Sequence, residues 1–271
     1  MLMPVPLEAM EETVIKGIVV EGKAVIEILD HKQFQEVRWV GVTFSEPISH
    51  CTFHKCIFDR VDMSAVTNSS FVGCTFNRCA WKGALFKTVE FKQCVLVQCV
   101  ADAVTMESCV IQNSKCEWEG FTHSVVSSLV MEDSVFDGIA THSQFSDSVM
   151  SRVAFSSQVR SCVFDNVALN TVTMRGIVIS DSSFTSCKLE QCNVSAASSW
   201  RKCRWTYCNF AKTCILDSVL EGSCFMHSTF KDTKIMRCNL SSATLSHIHF
   251  QLGCFSYNKM LRARMDNVRF H

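Results

Sequence analysis

A five-residue period governs this chain. From Phe71, large apolar residues recur at every fifth position: Phe71, Phe76, Trp81, Phe86, Phe91 and Leu96, then Met106, Ile111, Phe121, Val126, Met131 and Phe136, with weak points at Ala101 and Cys116. The same step links Phe145, Met150 and Phe155, then Phe164 through Phe184 to Val194, and finally Trp200 and Trp205 through Phe210, Phe225 and Phe230 to Phe250 and Phe270. Phe53, Phe58 and Met63 precede them. A helix repeats every 3.6 residues and a strand every 2, so neither matches. An extended chain that turns a corner every fifth residue does match. Four such sides close a coil of about 20 residues, and stacked coils bury the central residues in one column.

The position two before each centre is small: Cys51, Cys56, Ser69, Cys74, Cys79, Ala84, Cys94, Cys99, Val104, Cys109, and later Cys187, Cys192, Ser198, Cys203, Cys208, Cys238 and Ala243. A tight interior corner requires small residues there. Of 17 cysteines, 13 fall at this phase, where one phase in five would by chance hold about three or four. The thiols therefore read as core filler, packed as small hydrophobes. Their C-x4-C spacing does not match structural zinc sites. Cys74 and Cys94, and likewise Cys79 and Cys99, stack one coil apart, and reduced thiols are expected. Cys214, Cys224 and Cys254 sit one before the centre and are expected to face outward.

Repeats such as CTFNR (Cys74 to Arg78) and CNLSS (Cys238 to Ser242) resemble the motif of pentapeptide-repeat proteins, over roughly residues 49–271. The resemblance implies an all-β fold, a right-handed quadrilateral parallel β-helix. This chain uses Cys, Ser and Val more than Ala at the small site, and Phe more than Leu at the centre. Forty-two sides predict about ten coils and, at ~4.8 Å per coil, a rod of roughly 50 Å. The frame slips between Met63 and Phe71 (residues 64–70), Phe136 and Phe145 (137–144), Phe155 and Phe164 (156–163), and Val194 and Trp200. The simpler reading is a pinched side; the alternative is a kink that shapes a binding face. Residues 1–48 lack the frame and read as a small N-terminal β cap, with a hairpin around Glu21-Gly22 and a strand over Arg38–Phe44, leaving 49–271 as the repeat. The final coil is expected to meet a second copy, as a two-fold dimer.

Twenty-six basic and 26 acidic residues give zero net charge, which excludes a uniformly basic nucleic-acid coat. Distribution says more. Residues 101–150 carry eight acids against Lys115 alone; residues 201–271 carry eleven bases against four acids. The expected partner-binding residues are Arg201, Lys202, Arg204, Arg237, Arg262, Arg264 and Arg269 at a basic end. In an acidic middle they are Glu117, Glu119, Glu132, Asp133 and Asp137.

No phosphate loop, nucleophile elbow or zinc-protease pair occurs. No cofactor, catalytic residue or metal site is expected. His247-x-His249 resembles a metal pair but reads as solvated surface, and Trp200 and Trp205 read as core rather than as a base-stacking platform with Tyr207. No membrane span and no signal peptide are visible, so a cytoplasmic location is expected; the resemblance also allows export without such a signal. The functional expectation is a non-enzymatic protein-interaction scaffold, and the resemblance adds a bacterial secretion-system effector or accessory module. The alternative it implies is a DNA-mimicking protein that binds and protects gyrase, which zero net charge and the basic end weaken. A catalytic role ranks last.

Overall fold

A chain that turns every five residues must satisfy its backbone between coils rather than between neighbouring sides. The computed structural model, which describes residues 14–22, 24–25, 28–195 and 198–271, has this arrangement. The described residues contain short parallel strands and no α-helix, wound in about twelve turns. Among the described residues, no helix is long and apolar enough to cross a membrane. The chain divides into two compact units, Met1–Val135 and Phe136–His271.

In the first unit each side stacks on its equivalent one turn away. Phe53 pairs in register with Phe71 and Phe71 with Phe91; Phe58 pairs with Phe76. The central rings point inward and stack at 4.7 Å for Phe53–Phe71 and Phe58–Phe76. They meet the rings of adjacent sides edge-on, as Phe71 meets Phe76 at 5.3 Å. Offset stacks and edge-to-face contacts suit the aromatic quadrupole, which explains the preference for Phe over Leu at the centre. The second unit repeats the pattern in Phe164–Phe184 at 4.6 Å and Phe210–Phe230 at 4.5 Å. Phe76, Phe91, Phe184 and Phe230 are all buried.

The corners carry a cost. The residue two after most centres adopts positive φ even when it is not glycine, for example Lys55, Arg78, Gln98 and Thr171. An L-residue there is disfavoured by about 1–2 kcal/mol; asparagine, which the chain places at Asn68, Asn113 and Asn166, tolerates it best. Thr88 is β-branched, exposed and at φ 54°. Thr88→Asn should therefore raise stability by about 0.5–1 kcal/mol, read from a chemical-denaturation midpoint.

The frame slips are sides of unusual length. Met63 is followed after only three residues by the buried Val66, which pairs with Ile48 and Phe86. Phe136 is followed after four by Ala140, and Phe155 after four by Val159, both buried; Val159 pairs with Ile179. Ile179 pairs in turn with Trp200, so that this coil is one residue longer than four full pentads. The coil absorbs each change, as the simpler reading expected.

The hairpin expected around Glu21 is not formed. Val14–Lys16 pairs in parallel with Gln33–Gln35, and Val19–Glu21 with Arg38–Val40. The winding already runs through the described part of 14–48, in coils one residue short of four full pentads: Phe34 pairs with Phe53 and Trp39 with Phe58. Each of these coils has one shortened step, such as Phe44 to Ile48, which hides it from a strict five-residue frame. The start of the expected cap, residues 1–13, lies outside the described residues.

The weak points Ala101 and Cys116 have a steric reason. Trp118 enters the core through an irregularity opposite Cys99 and packs its indole 5.6 Å from Trp81 and 5.3 Å from Phe121. Small residues at 101 and 116 leave it room. Tryptophan is an imperfect filler here: the indole N–H groups of Trp39, Trp81, Trp200 and Trp205 are buried without a hydrogen-bond acceptor among the described residues. Each costs about 1–3 kcal/mol, offset by close stacking such as Trp205 on Phe184 at 3.8 Å.

Candidate functional site

The interior offers little chemistry. All 17 cysteines are free, and those at the corner phase are buried. Their thiols donate to main-chain carbonyls: Cys79 Sγ to Phe58 O at 3.4 Å, Cys99 Sγ to Phe76 O at 3.5 Å. Serine does the same work at this phase; Ser114 Oγ donates to Gln112 O at 2.8 Å and accepts from the Cys94 amide at 3.0 Å. Burial pushes the Cys109 and Cys192 thiols up to about 11 and Cys203 up to about 12. Cys79 is raised further, by its stacked neighbour Cys99 and by burial. A thiolate is the reactive form, so these groups are inert near neutrality. Cys214, Cys224 and Cys254 are half-buried, and Cys214 and Cys254 are separated by Lys234 on one column. A thiol reagent at neutral pH should label these three in the folded protein and all 17 after denaturation; mass spectrometry of labelled peptides checks this.

Chemistry therefore resides on the outward positions, and the basic residues do not form one uniform patch. In the second unit Arg237 is held by Asp217 through two bonds, Nε at 2.7 Å and an Nη at 2.9 Å, and Arg237 holds the Asp217 carboxyl below its ordinary range. Arg201 faces Glu221 at 3.9 Å. These two are partly neutralised. Arg204 and Arg264 lie in one column on the side centred on Trp205, with Cys224 and Thr244 between them. Lys202 and Arg262 occupy the corner leading into that side, both at positive φ; the Lys202 stem lies against Gly222. Among the described residues none of these four has an ion-pair partner. Arg269 stands on the next side, beside His249.

Between those two sides runs a feature that no count of charges reveals. Tyr207, His227 and His247 occupy successive corners at positive φ and stack ring on ring at 5.2 and 4.6 Å. Their spacing of one full coil was the available signal. His247 also meets Ser246 Oγ at 2.9 Å, and His249 packs 5.0 Å from His271.

The acidic residues are more dispersed. In the first unit Glu132 accepts from Gln112 Nε2 at 3.3 Å on one side, with Asp133 at the following corner. Glu117 lies on another side, paired with Lys115, and Glu119 is exposed beyond Trp118. Asp137 belongs to the second unit and caps the Gly138 amide at 2.8 Å. In the first unit Asp102 is taken by Thr122 at 2.7 Å and His123 at 3.2 Å.

The last described coil is the apolar exception. Phe250 is buried, yet Met265 and Phe270, also at central positions, are 47% and 54% exposed, and Leu252, Tyr257 and Leu261 are exposed too. A cavity of about 200 Å³ opens between Phe250, Gly253, Phe255, Phe270 and His271. Only glycine fits at 253, because a Cβ would lie 2.4 Å from the Thr233 carbonyl oxygen.

A five-residue period, four sides per turn and a small residue at each inner corner define a parallel β-solenoid, and the chain has that architecture. No family model matches the chain, and no curated protein matches it. Solved structures similar to it include HetL, a pentapeptide-repeat protein involved in heterocyst differentiation regulation from the cyanobacterium Nostoc. It is 8% identical over 85% of this chain and 87% of its own, with a TM-score of 0.35. Full-length QnrB1, a plasmid-mediated fluoroquinolone resistance protein, is 15% identical over 91% and 94%, with a TM-score of 0.28. The surface adhesin PfbA of Streptococcus pneumoniae is 8% identical over 96% and 91%, with a TM-score of 0.39.

Proposed function

We propose that this protein is a non-enzymatic interaction scaffold whose second unit docks an acidic protein partner. The observation that carries this reading is the unneutralised set Lys202, Arg204, Arg262 and Arg264, which flanks the stacked rings of Tyr207, His227 and His247. Exposed arginine and tyrosine are the residue types that dominate interface energetics, and a charge set of one sign steers an oppositely charged partner. The corner-phase thiols are buried away from this face. A quadruple Glu variant of Lys202, Arg204, Arg262 and Arg264 should lose the partners that the parent protein captures from source-cell lysate. An unchanged set of partners would dismiss the reading.

The apolar coil centred on Phe270 is proposed to meet a second copy, since exposed apolar side chains around a cavity favour burial. Sedimentation over a concentration series should show a dimer that Leu261→Arg converts to monomer; a monomer at high concentration removes the idea. We further place the scaffold among modules handled by bacterial secretion systems. A reporter fusion should transfer from a secretion-competent strain and not from a secretion-deficient one, and no transfer at all overturns this placement. The DNA-mimicking alternative draws on the acidic residues, but Glu117, Asp102 and Glu107 are engaged by Lys115, Thr122 and Lys87. A supercoiling assay with gyrase tests it, and no effect at micromolar protein dismisses it.

A further inference from the structure

We infer that Asp30, His31 and His50 form a surface site for a divalent transition-metal ion of the zinc class. His31 and His50 are separated by one of the shortened N-terminal coils, so they occupy successive corners of one edge; the same register pairs Asp30 with Ser49. Both corners have positive φ, and their imidazoles stack with centroids 4.5 Å apart and planes 15° apart. Both Nδ1 atoms turn toward one carboxylate oxygen: Asp30 Oδ1 lies 3.0 Å from His31 Nδ1 and 3.1 Å from His50 Nδ1. One ligand atom from each residue lies within 4.8 Å of the other two.

The two Asp30–imidazole distances are nearly the edges a metal needs, and the two imidazole ligand atoms lie within 4.8 Å of each other. Zinc binds imidazole nitrogen and carboxylate oxygen at about 2.0–2.2 Å with tetrahedral angles, which sets ligand atoms about 3.3 Å apart. A small outward movement of three exposed side chains would admit the ion, and water would complete the fourth position.

The surroundings hold the ligands in place. Ser49 Oγ donates to Asp30 at 2.8 Å, fixing the carboxylate. The Asn68 amide reaches His50 Nε2 at 3.4 Å from the next coil. With Asn68 Nδ2 donating to Nε2, the Nδ1 proton faces Asp30 and a metal would displace it; turning the Asn68 amide over would let its oxygen accept from Nε2–H and hold that tautomer. The two imidazoles and one carboxylate suit zinc, nickel and copper, and not calcium or magnesium, which favour an all-oxygen shell. The second grouping of this kind, Asp102 with His123 and Thr122, supplies one imidazole. Among the described residues, no carboxylate joins the stack of His227 on His247 in a group that could hold an ion. The ion would bridge two successive coils near the start of the winding.

The test is titration of the full chain with zinc sulfate by calorimetry, in a Cys214→Ser, Cys224→Ser, Cys254→Ser background that removes the accessible thiols. The expected result is one ion per chain. His31→Gln and His50→Gln should each weaken binding at least tenfold while leaving the far-UV spectrum unchanged, and His247→Gln should leave the affinity as it was. Cobalt or copper should broaden the ring signals of His31 and His50 before those of other histidines. Absence of binding below millimolar zinc, or binding that survives both His31→Gln and His50→Gln, would overturn the inference.

Discussion

Phe71→Ala should cost about 3–5 kcal/mol, among the largest losses available to a single side chain in this fold. Phe71 is fully buried. Its ring stacks on Phe53 at 4.7 Å and Phe91 at 5.2 Å and meets Phe58 and Phe76 edge-on at 5.7 and 5.3 Å. Truncation therefore breaks contacts in two directions at once, along the column and across the coil. Neighbouring rings cannot close the cavity, because each is fixed by the strand register above and below it. Phe71→Leu, which many coils of a less aromatic repeat would accept, should cost far less, about 1–2 kcal/mol. Urea unfolding of both variants checks this, and equal losses for Ala and Leu would mean that the ring is not held on all sides.

The second large effect separates charge from size at an inner corner. Cys79 is buried, with Sγ 3.4 Å from Phe58 O and 3.7 Å from Asn77 O. Cys79→Ser replaces one small donor by another at a phase where the chain already uses serine, and should cost no more than about 1.5 kcal/mol. Cys79→Asp remains small but directs a carboxylate at two carbonyl oxygens with no cation to offset it. Leaving such a charge buried and unpaired costs about 3–5 kcal/mol. Destabilisation by serine as large as by aspartate would show that the thiol does more than fill and donate.

How much was legible in the sequence depended on what each residue needs. The centres from Phe71 to Phe250 were readable because a buried ring must recur at the step of the winding. The N-terminal coils were not, because the steps from Phe44 to Ile48 and from Met63 to Val66 are shorter than a pentad. A fixed period passes over such a coil, although Phe34, Trp39 and Phe44 are as buried as Phe71. Trp118 was missed for the opposite reason: it lies off the frame and fills space that Ala101 and Cys116 vacate.

The candidate sites divide similarly. Arg204 and Arg264 were expected together and share a column, whereas Arg237 was counted as available though Asp217 takes its Nε and one Nη. That pairing joins residues a full coil apart and is invisible to a count of charges along the chain. The edge formed by Asp30, His31 and His50 was hidden twice over, because Asp30 and His31 lie before the apparent repeat and because a shortened coil is needed to bring the rings together.

Deletion of one whole coil tests the winding itself. Lys87 and Glu107 are register partners, and Thr88 N–H donates to Glu107 O at 2.8 Å. Removing residues 88–107 joins Lys87 to Ser108 and should recreate the same corner one coil shorter. Each coil touches mainly its neighbours, so the rest should remain folded. Removing residues 88–104 instead would join the end of the side Leu85–Lys87 directly to the start of the side Thr105–Glu107, with no corner between them. The measurement is equilibrium urea unfolding of both deletions followed by far-UV circular dichroism. The stacked-coil account predicts that the 88–107 deletion keeps the parent β spectrum and a cooperative transition while the 88–104 deletion loses them. Two deletions that unfold alike, or an 88–107 deletion that does not fold, would contradict it.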